Sequence, residues 1–215
     1  MPALQKTMPN HYNFDQVIQF LATKGKQIYG PHFRIHVEDY EILFQLAVYF
    51  LKDKDQLKRL SLSPHKGILL TGPIGSGKTS LMNLCRFLQP EHQRFLVKPC
   101  RDISFEFQEH GYAAIHRYGK DSFQLIKGSV ITKTYCFDDL GTENTLKHYG
   151  NECNVMAEIL LTRYDLFVTQ KLKTHITTNL NSQELENLYG NRVRSRLREM
   201  FNLIAFDKDT MDKRK

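Results

Sequence analysis

Between residues 14 and 50 the apolar positions recur every three or four residues, the spacing of one helical face. Phe14, Val17, Ile18 and Leu21 predict a first helix, capped by Asn13 and ending near Gly25. A second follows the polar start Glu38-Asp39 and carries Ile42, Leu43, Leu46, Ala47 and Phe50 on one side. The charged stretch from Lys52 to Lys66 closes on Ser63-Pro64 and predicts a connector. Beyond it the period changes. Short apolar runs at 67–71, 95–97, 134–137, 174–177 and 201–206 alternate with longer helical stretches. That alternation predicts an α/β fold with a parallel sheet flanked by helices. Neither an internal repeat nor a low-complexity tract interrupts it, so one compact unit is expected.

Composition narrows the class. The chain has 215 residues, 41% hydrophobic and 25% charged, which suits a globular domain plus a small appendage. No window approaches the roughly 18 apolar residues of a membrane span, and the opening residues lack the apolar core of a secretion signal. The expectation is a cytoplasmic protein that does not enter a membrane. Cys85, Cys100, Cys136 and Cys153 are too far apart to grip a metal or form a dense disulfide framework, so buried free thiols are expected. The nine histidines are scattered and suggest no metal site. The net charge is +7, and residues 190–215 hold eight Lys and Arg against four Asp and Glu. Such a local excess suits a polyanion, although a solvated face is the commoner cause. Tyr112, Arg117, Tyr118 and Lys120 mix aromatics and cations as a single-strand binding surface does, and a loop after a helix explains them equally well.

Candidate chemistry concentrates after the first apolar run. Gly72-Pro73-Ile74-Gly75-Ser76-Gly77-Lys78-Thr79, followed by Ser80, is a complete phosphate-binding loop between a strand and a helix. Glycines let backbone N–H groups turn toward phosphates, Lys78 reaches the β- and γ-oxygens, and Thr79 offers a hydroxyl to Mg²⁺. About sixty residues later an apolar strand runs into Asp138-Asp139, where α/β sheets place their ligands. Asp138 is the candidate Mg²⁺ ligand and Asp139 the candidate polariser of the attacking water, with Glu143 a competing base.

Four motifs together carry a resemblance. Gly72 to Thr79, Asp138-Asp139-Leu140-Gly141, Thr177-Thr178-Asn179-Leu180 and Tyr189 to Leu197 occur in the order and spacing of AAA+ ATPases. Over residues 40–206 the chain resembles the DnaC-type helicase loaders and the IstB-type transposition helpers. The resemblance implies a P-loop fold with a five-stranded parallel sheet, the strand ending at Thr178 lying between the loop strand and the Asp138 strand. It divides the chain into an N-terminal helical segment (1–38), an AAA+ core (39–206) and a basic tail (207–215). Asn179 matches the sensor that orients water, and Arg196 the arginine finger that acts on ATP held by a neighbouring subunit. Arg192 with Arg196 and Arg194 with Arg198 fall on different helical faces, so the four need not share a role. Expected partners are ATP or ADP with Mg²⁺, single- or double-stranded DNA, a replicative helicase or transposase, and further copies of the chain.

Three departures qualify that likeness. Many AAA+ enzymes have Glu where this chain has Asp139, which predicts slow turnover. The sequence ends too soon after Phe206 for a helical lid, leaving Arg214 as a weak candidate for a cis sensor arginine. About forty residues precede the core, fewer than a dedicated helicase-binding domain needs. The alternatives are a monomeric P-loop kinase acting on a small molecule, which would not need Arg196 in trans, and a nucleotide-dependent scaffold that does not hydrolyse.

Overall fold

The computed structural model describes residues 13–126, 129–143, 146–148 and 151–214. Helix α1 (Phe14–Tyr29) begins where Asn13 accepts the N–H of Asp15 at 2.8 Å. It does not stop near Gly25. That glycine is an interior position packed so tightly on the Phe33 ring that a β-carbon would lie 2.1 Å from it, and the helix ends at Gly30. Helix α2 (Tyr40–Leu51) buries Leu43, Leu46, Ala47 and Val48 completely. The expected connector then turns out to contain a helix, α3 (Lys54–Arg59). Asp53 caps it by accepting the Gln56 N–H at 3.1 Å, and Leu57 supplies its buried contact.

Strand β1 (Gly67–Thr71) leads into α4 (Lys78–Cys85), followed by β2 (Leu96–Pro99), α5 (Cys100–His110) and α6 (Tyr112–Tyr118). A hairpin of β3 (Phe123–Ile126) and β4 (Ser129–Thr132) precedes β5 (Tyr135–Leu140). A second small antiparallel pair, β6 (Leu146–His148) with β7 (Asn151–Cys153), comes before α7 (Val155–Gln170). The chain closes with β8 (Thr174–Thr178), α8 (Ser182–Met200) and β9 (Phe201–Ala205). The two antiparallel pairs carried no recognised sequence signal, being only three or four residues long.

The main sheet is parallel throughout, in the order β2-β5-β8-β1-β9. β8 thus lies between β1 and β5, as the resemblance implied. Alternate residues of each strand face opposite cores, which is the pleat's period of two. Ile68, Leu70, Cys136 and Ile204 pack with α1, α2 and α4; Leu69, Phe137, Ile176 and Phe201 pack with α5, α6, α7 and α8. Val17 and Leu21 of α1 belong to the same cluster as β1. Cys85, Cys100 and Cys136 are buried free thiols, while Cys153 is half-buried.

One buried charge ties the second core to the sheet. Arg163 of α7 is fully buried. Its guanidinium donates to Thr174 Oγ1, Ser122 Oγ and the carbonyls of Tyr118, Lys133 and Lys173, at 2.6–3.2 Å. Every N–H of the fork is matched, which is the condition for burying such a group. Burial still pulls its pKa down to about 9. On the other core, His175 accepts the Ile68 N–H through Nδ1 at 3.0 Å among the rings of Tyr49, Phe50 and Phe95, and burial holds its pKa at about 3.

Candidate functional site

The loop after β1 turns back on itself with φ of +78° at Gly75 and +95° at Gly77, values open to glycine and costly for other residues. Ser76, between them, is buried. The turn delivers Lys78 to the start of α4, where its amine donates to the carbonyls of Gly72 and Pro73, both at 2.8 Å. Lys78 is 5% exposed, and burial lowers its pKa; the carboxylates of Asp139 and Asp138 push it up, and Arg214 pushes it down.

The next residue reaches across the sheet. Thr79 Oγ1 lies 3.0 Å from both carboxylate oxygens of Asp138. A bulge in β5 makes this possible: the register against β8 shifts between Phe137 and Leu140. Asp139 takes up the extra residue with φ of +54°, a left-handed conformation that Asp tolerates better than most side chains. The effect is to aim Asp138 at Thr79 while Asp139 faces the cavity beyond the loop.

Thr177 locks the bulge. Its hydroxyl donates to Asp138 Oδ1 at 2.6 Å and accepts the Asp139 N–H at 2.8 Å. Burial raises the Asp138 pKa; the bonds from Thr177 and Thr79 and the charge of Lys78 oppose that rise, while Asp139 adds to it. Sequence reasoning placed Thr177 inside a motif but gave it no role. The signal available was its position, a hydroxyl directly before Thr178-Asn179 at the end of a buried strand.

A cavity of about 750 Å³ opens over the loop. Ile74, Gly75, Gly77, Lys78, Thr79, Ser80, Asp139 and Asn179 line one side, and the segment His32–His36 lines another. Asn179 is exposed at the end of β8. Glu143, the competing base, is otherwise engaged: one oxygen accepts the Gly141 N–H at 2.9 Å and the other accepts the hydroxyl of Tyr189, whose pKa is raised by burial and by that carboxylate.

Residues 212–214 close one side of the cavity, where the sequence had offered only Arg214, as a weak sensor candidate. Lys213 donates its backbone N–H to Gly75 O at 3.1 Å and its amine to Ser76 O at 2.7 Å, and it pairs with the buried carboxylate of Asp39. Asp212 packs against Gly75 so closely that a β-carbon there would collide with its carboxylate. Arg214 lines the same cavity as Lys78. Residues 212–213 therefore brace the phosphate-binding loop from outside.

Other basic residues lie elsewhere. Arg196 of α8 is not among the residues lining this cavity. Its guanidinium lies 4.2 Å from the Tyr164 ring centroid and pairs with Glu199 at 3.4 Å, in the same cluster as the Tyr164 hydroxyl. Arg194 pairs with Glu186 at 2.5 Å and bonds Ser182 at 2.9 Å. The candidate single-strand surface is revised: residues 112–118 form α6, where Tyr118 is buried and Arg117 and Tyr118 both bind Glu106. Among the described residues no cluster of three His, Cys, Asp or Glu is poised to hold a metal, and no helix is long and apolar enough to cross a membrane.

Sheet order, phosphate-binding loop and paired strand ends define a three-layer P-loop α/β fold with a five-stranded parallel sheet. Within that class it is similar to the crystal structure of the DnaC helicase loader: TM-score 0.56, 19% identity, 82% of this chain and 94% of that one covered. It is similar too to the structure of DnaI, with TM-score 0.54, 18% identity and coverage of 81% and 88%. No protein-family model matches the chain, and no curated protein sequence matches it.

Proposed function

We propose that the chain binds ATP with Mg²⁺ at Gly72–Ser80, hydrolyses it, and uses the cycle to act on DNA or a DNA-bound protein at the start of replication, as a helicase loader. The observation that carries this reading is the bond between Thr79 and Asp138 at the mouth of a cavity that also presents Lys78, Asp139 and Asn179. A phosphate-binding loop alone serves many nucleotide enzymes; this convergence from three parallel strand ends serves hydrolysis.

The residues suit Mg²⁺. One buried carboxylate beside one hydroxyl, all hard oxygen, is what that ion takes when water and phosphate supply its other ligands. Bound there with the nucleotide, the metal would neutralise charge on the phosphates. The chain's own residues do the rest. Backbone N–H groups of the loop cradle the phosphates and Lys78 exchanges its carbonyl partners for phosphate oxygens. Asp139 accepts a proton from the attacking water, and Asn179 holds that water in line. Arg214 adds positive charge from within the chain. The base lodges against His32–His36.

Arg196, outside its own chain's cavity, is the residue offered to a neighbour, so the active state is a homo-oligomer. Its resting place supports this, because Glu199 is exposed and Arg196 itself is half-exposed where it lies on the half-buried Tyr164 ring. The fold likeness to the DnaC helicase loader supports loading over transposition. ATPase rate measured against protein concentration, with and without single- and double-stranded DNA, tests the reading. Specific activity should climb with concentration or on a DNA template. A rate constant per subunit at every dilution would favour a monomeric kinase-like enzyme, and no turnover with intact binding would favour a scaffold.

A further inference from the structure

Three of the eight cations in the basic run that suggested a polyanion partner are satisfied within the chain. Arg194, Arg196 and Lys213 each hold a carboxylate. A second concentration of unpaired positive charge converges on a single ring, that of Phe87. Arg94 and Arg86 place their guanidinium carbons 4.9 and 5.0 Å from that ring's centroid, and the Lys24 amine lies at 5.8 Å. The three come from different parts of the fold: α1, the turn after α4, and the approach to β2.

Among the described residues none of the three pairs with a carboxylate. Lys24 has only the Gln27 amide oxygen at 3.1 Å, and Arg94 Nε only the Gln89 carbonyl at 3.3 Å. Arg86 Nε and Gln89 Oε1 are buried without any hydrogen-bond partner among the described residues. An aromatic face attracts cations but carries no net charge, so three charges around one ring remain mutually repulsive within about a Debye length. All three side chains are half-buried, which weakens the screening that would relieve them.

We infer that Lys24, Arg86 and Arg94 around Phe87 form a binding surface for the phosphodiester backbone of nucleic acid. Two guanidinium forks suit phosphate oxygens, Lys24 adds a point charge, and an aromatic set among cations is the make-up of strand-binding surfaces. The surface is separate from the nucleotide site. α4 begins at the phosphate-binding loop and ends at Cys85, so Arg86 lies about 12 Å further along, toward the end of the sheet where the strands begin. Contact with phosphates there is indifferent to base sequence. The inference rests on the proposed work on nucleic acid but not on ATP hydrolysis.

The test is fluorescence anisotropy of a dye-labelled oligonucleotide of about 30 nucleotides, single-stranded or duplex, over a salt series. Full-length Lys24→Glu with Arg94→Glu should bind at least about tenfold more weakly. Its plot of log affinity against log salt should be shallower by roughly 1.4 for the single strand and roughly 1.8 for the duplex, as two phosphate contacts are lost. ATPase rate in the absence of nucleic acid, and melting temperature, should hold. Arg192→Glu with Arg198→Glu, in the basic run, should leave the slope unchanged. Lys24→Gln with Arg94→Gln serves if the glutamates impair folding. A folded variant with wild-type slope overturns the assignment, and so does a wild-type chain that ignores the oligonucleotide. Displacement by polyglutamate as effective as by unlabelled oligonucleotide would replace the nucleic acid with an acidic protein. ATP turnover, measured separately, stands or falls without affecting these outcomes.

Discussion

Thr79 and Asp138 are 59 residues apart in the chain, and the threonine hydroxyl sits 3.0 Å from each oxygen of the aspartate. That contact joins the start of α4 to the bulge in β5, tying the loop that would hold phosphates directly to the strand that would hold a cation. The hydroxyl is also the nearest stand-in for the ion the pair is suited to bind, and breaking this bond is what loading would require.

The two candidate bases are separable. Asp139 faces the cavity, whereas both oxygens of Glu143 are held, by Gly141 N–H and by Tyr189. Asp139→Asn should keep nucleotide affinity and lower turnover by about 100-fold or more. Glu143→Gln should slow turnover far less and cost about 1–3 kcal/mol of stability, because a buried tyrosine hydroxyl loses a charged acceptor. Parallel binding and phosphate-release assays check both. The reverse ranking would make Glu143 the base.

Thr177 should act through Asp138. Thr177→Val keeps the shape and removes the hydroxyl, so the buried carboxylate loses a bond that was holding its pKa down. The sign follows. Burial already raises the Asp138 pKa above its ordinary value, so as pH falls a proton competes with the cation earlier than at a free aspartate. In the variant the competition begins at higher pH. The Mg²⁺ concentration for half-maximal rate should rise several-fold, by a factor that grows as pH is lowered, and Thr177→Ser should restore it. A lower rate at unchanged Mg²⁺ dependence would reduce Thr177 to a packing residue.

Much of this was legible in the sequence because short-range pattern and chemistry coincide there. β1 falls at residues 67–71 as the apolar run predicted, and the loop from Gly72 to Thr79 needs glycine where φ is positive. The bulge at Asp138-Asp139 was not legible, since nothing in Cys136 to Leu140 distinguishes a bulged strand from a straight one. α3 was hidden by its charge: Leu57 is the only apolar residue within it to mark a buried side. The role of the tail was hidden differently. Beside Arg214, a weak sensor candidate, Asp212 and Lys213 look like a solvated basic end, and only tertiary contact with Gly75, Ser76 and Asp39 shows otherwise.

The tail should matter for nucleotide affinity. Lys213 fastens the outer side of the loop to Asp39, and Arg214 faces the cavity. Lys213→Ala leaves the buried Asp39 carboxylate without its cation, so stability should drop by about 1–3 kcal/mol and ATP affinity by several-fold. Arg214→Ala should cost affinity without the loss of stability, ATP suffering more than ADP if the guanidinium reaches the terminal phosphate. Isothermal titration beside thermal melts separates the two. Equal ATP and ADP losses in Arg214→Ala would remove the residue from the γ-phosphate.

Acid should expose His175. Its folded pKa of about 3 lies below the ordinary value of 6.5, so between those values the unfolded chain takes up a proton that the folded chain refuses. Its contribution is intact above pH 6.5 and is lost progressively as pH falls toward 3. His175→Asn, whose amide oxygen can still accept the Ile68 N–H, should be less stable than wild type at pH 7. The gap should narrow steadily toward pH 4 in urea titrations, with other titrating groups cancelling in the difference. A gap independent of pH would mean that His175 takes up its proton as readily in the folded chain as in the unfolded one.

Arg196 gives the sharpest separation of an oligomeric ATPase from an enzyme that works within one chain. An arginine supplied across an interface contributes only when subunits meet, and such groups are worth about 10³-fold or more in rate. Arg196→Ala should bind ATP normally and lose turnover. The change also frees Tyr164 and Glu199, whose pairing with it is half-exposed, so stability should move by no more than about 1 kcal/mol. Lys78→Ala should lose at least about tenfold in ATP affinity, because no other amine replaces the one that reaches the β- and γ-oxygens. Each variant alone is then inactive for a different reason. Mixed in equal amounts they should recover part of the wild-type rate, since an intact cavity on one subunit meets an intact arginine on the next. The recovery should rise with total protein concentration and vanish on dilution. A mixture that stays inactive at concentrations where wild type turns over would confine the chemistry to a single chain and leave Arg196 its contacts with Tyr164 and Glu199 alone.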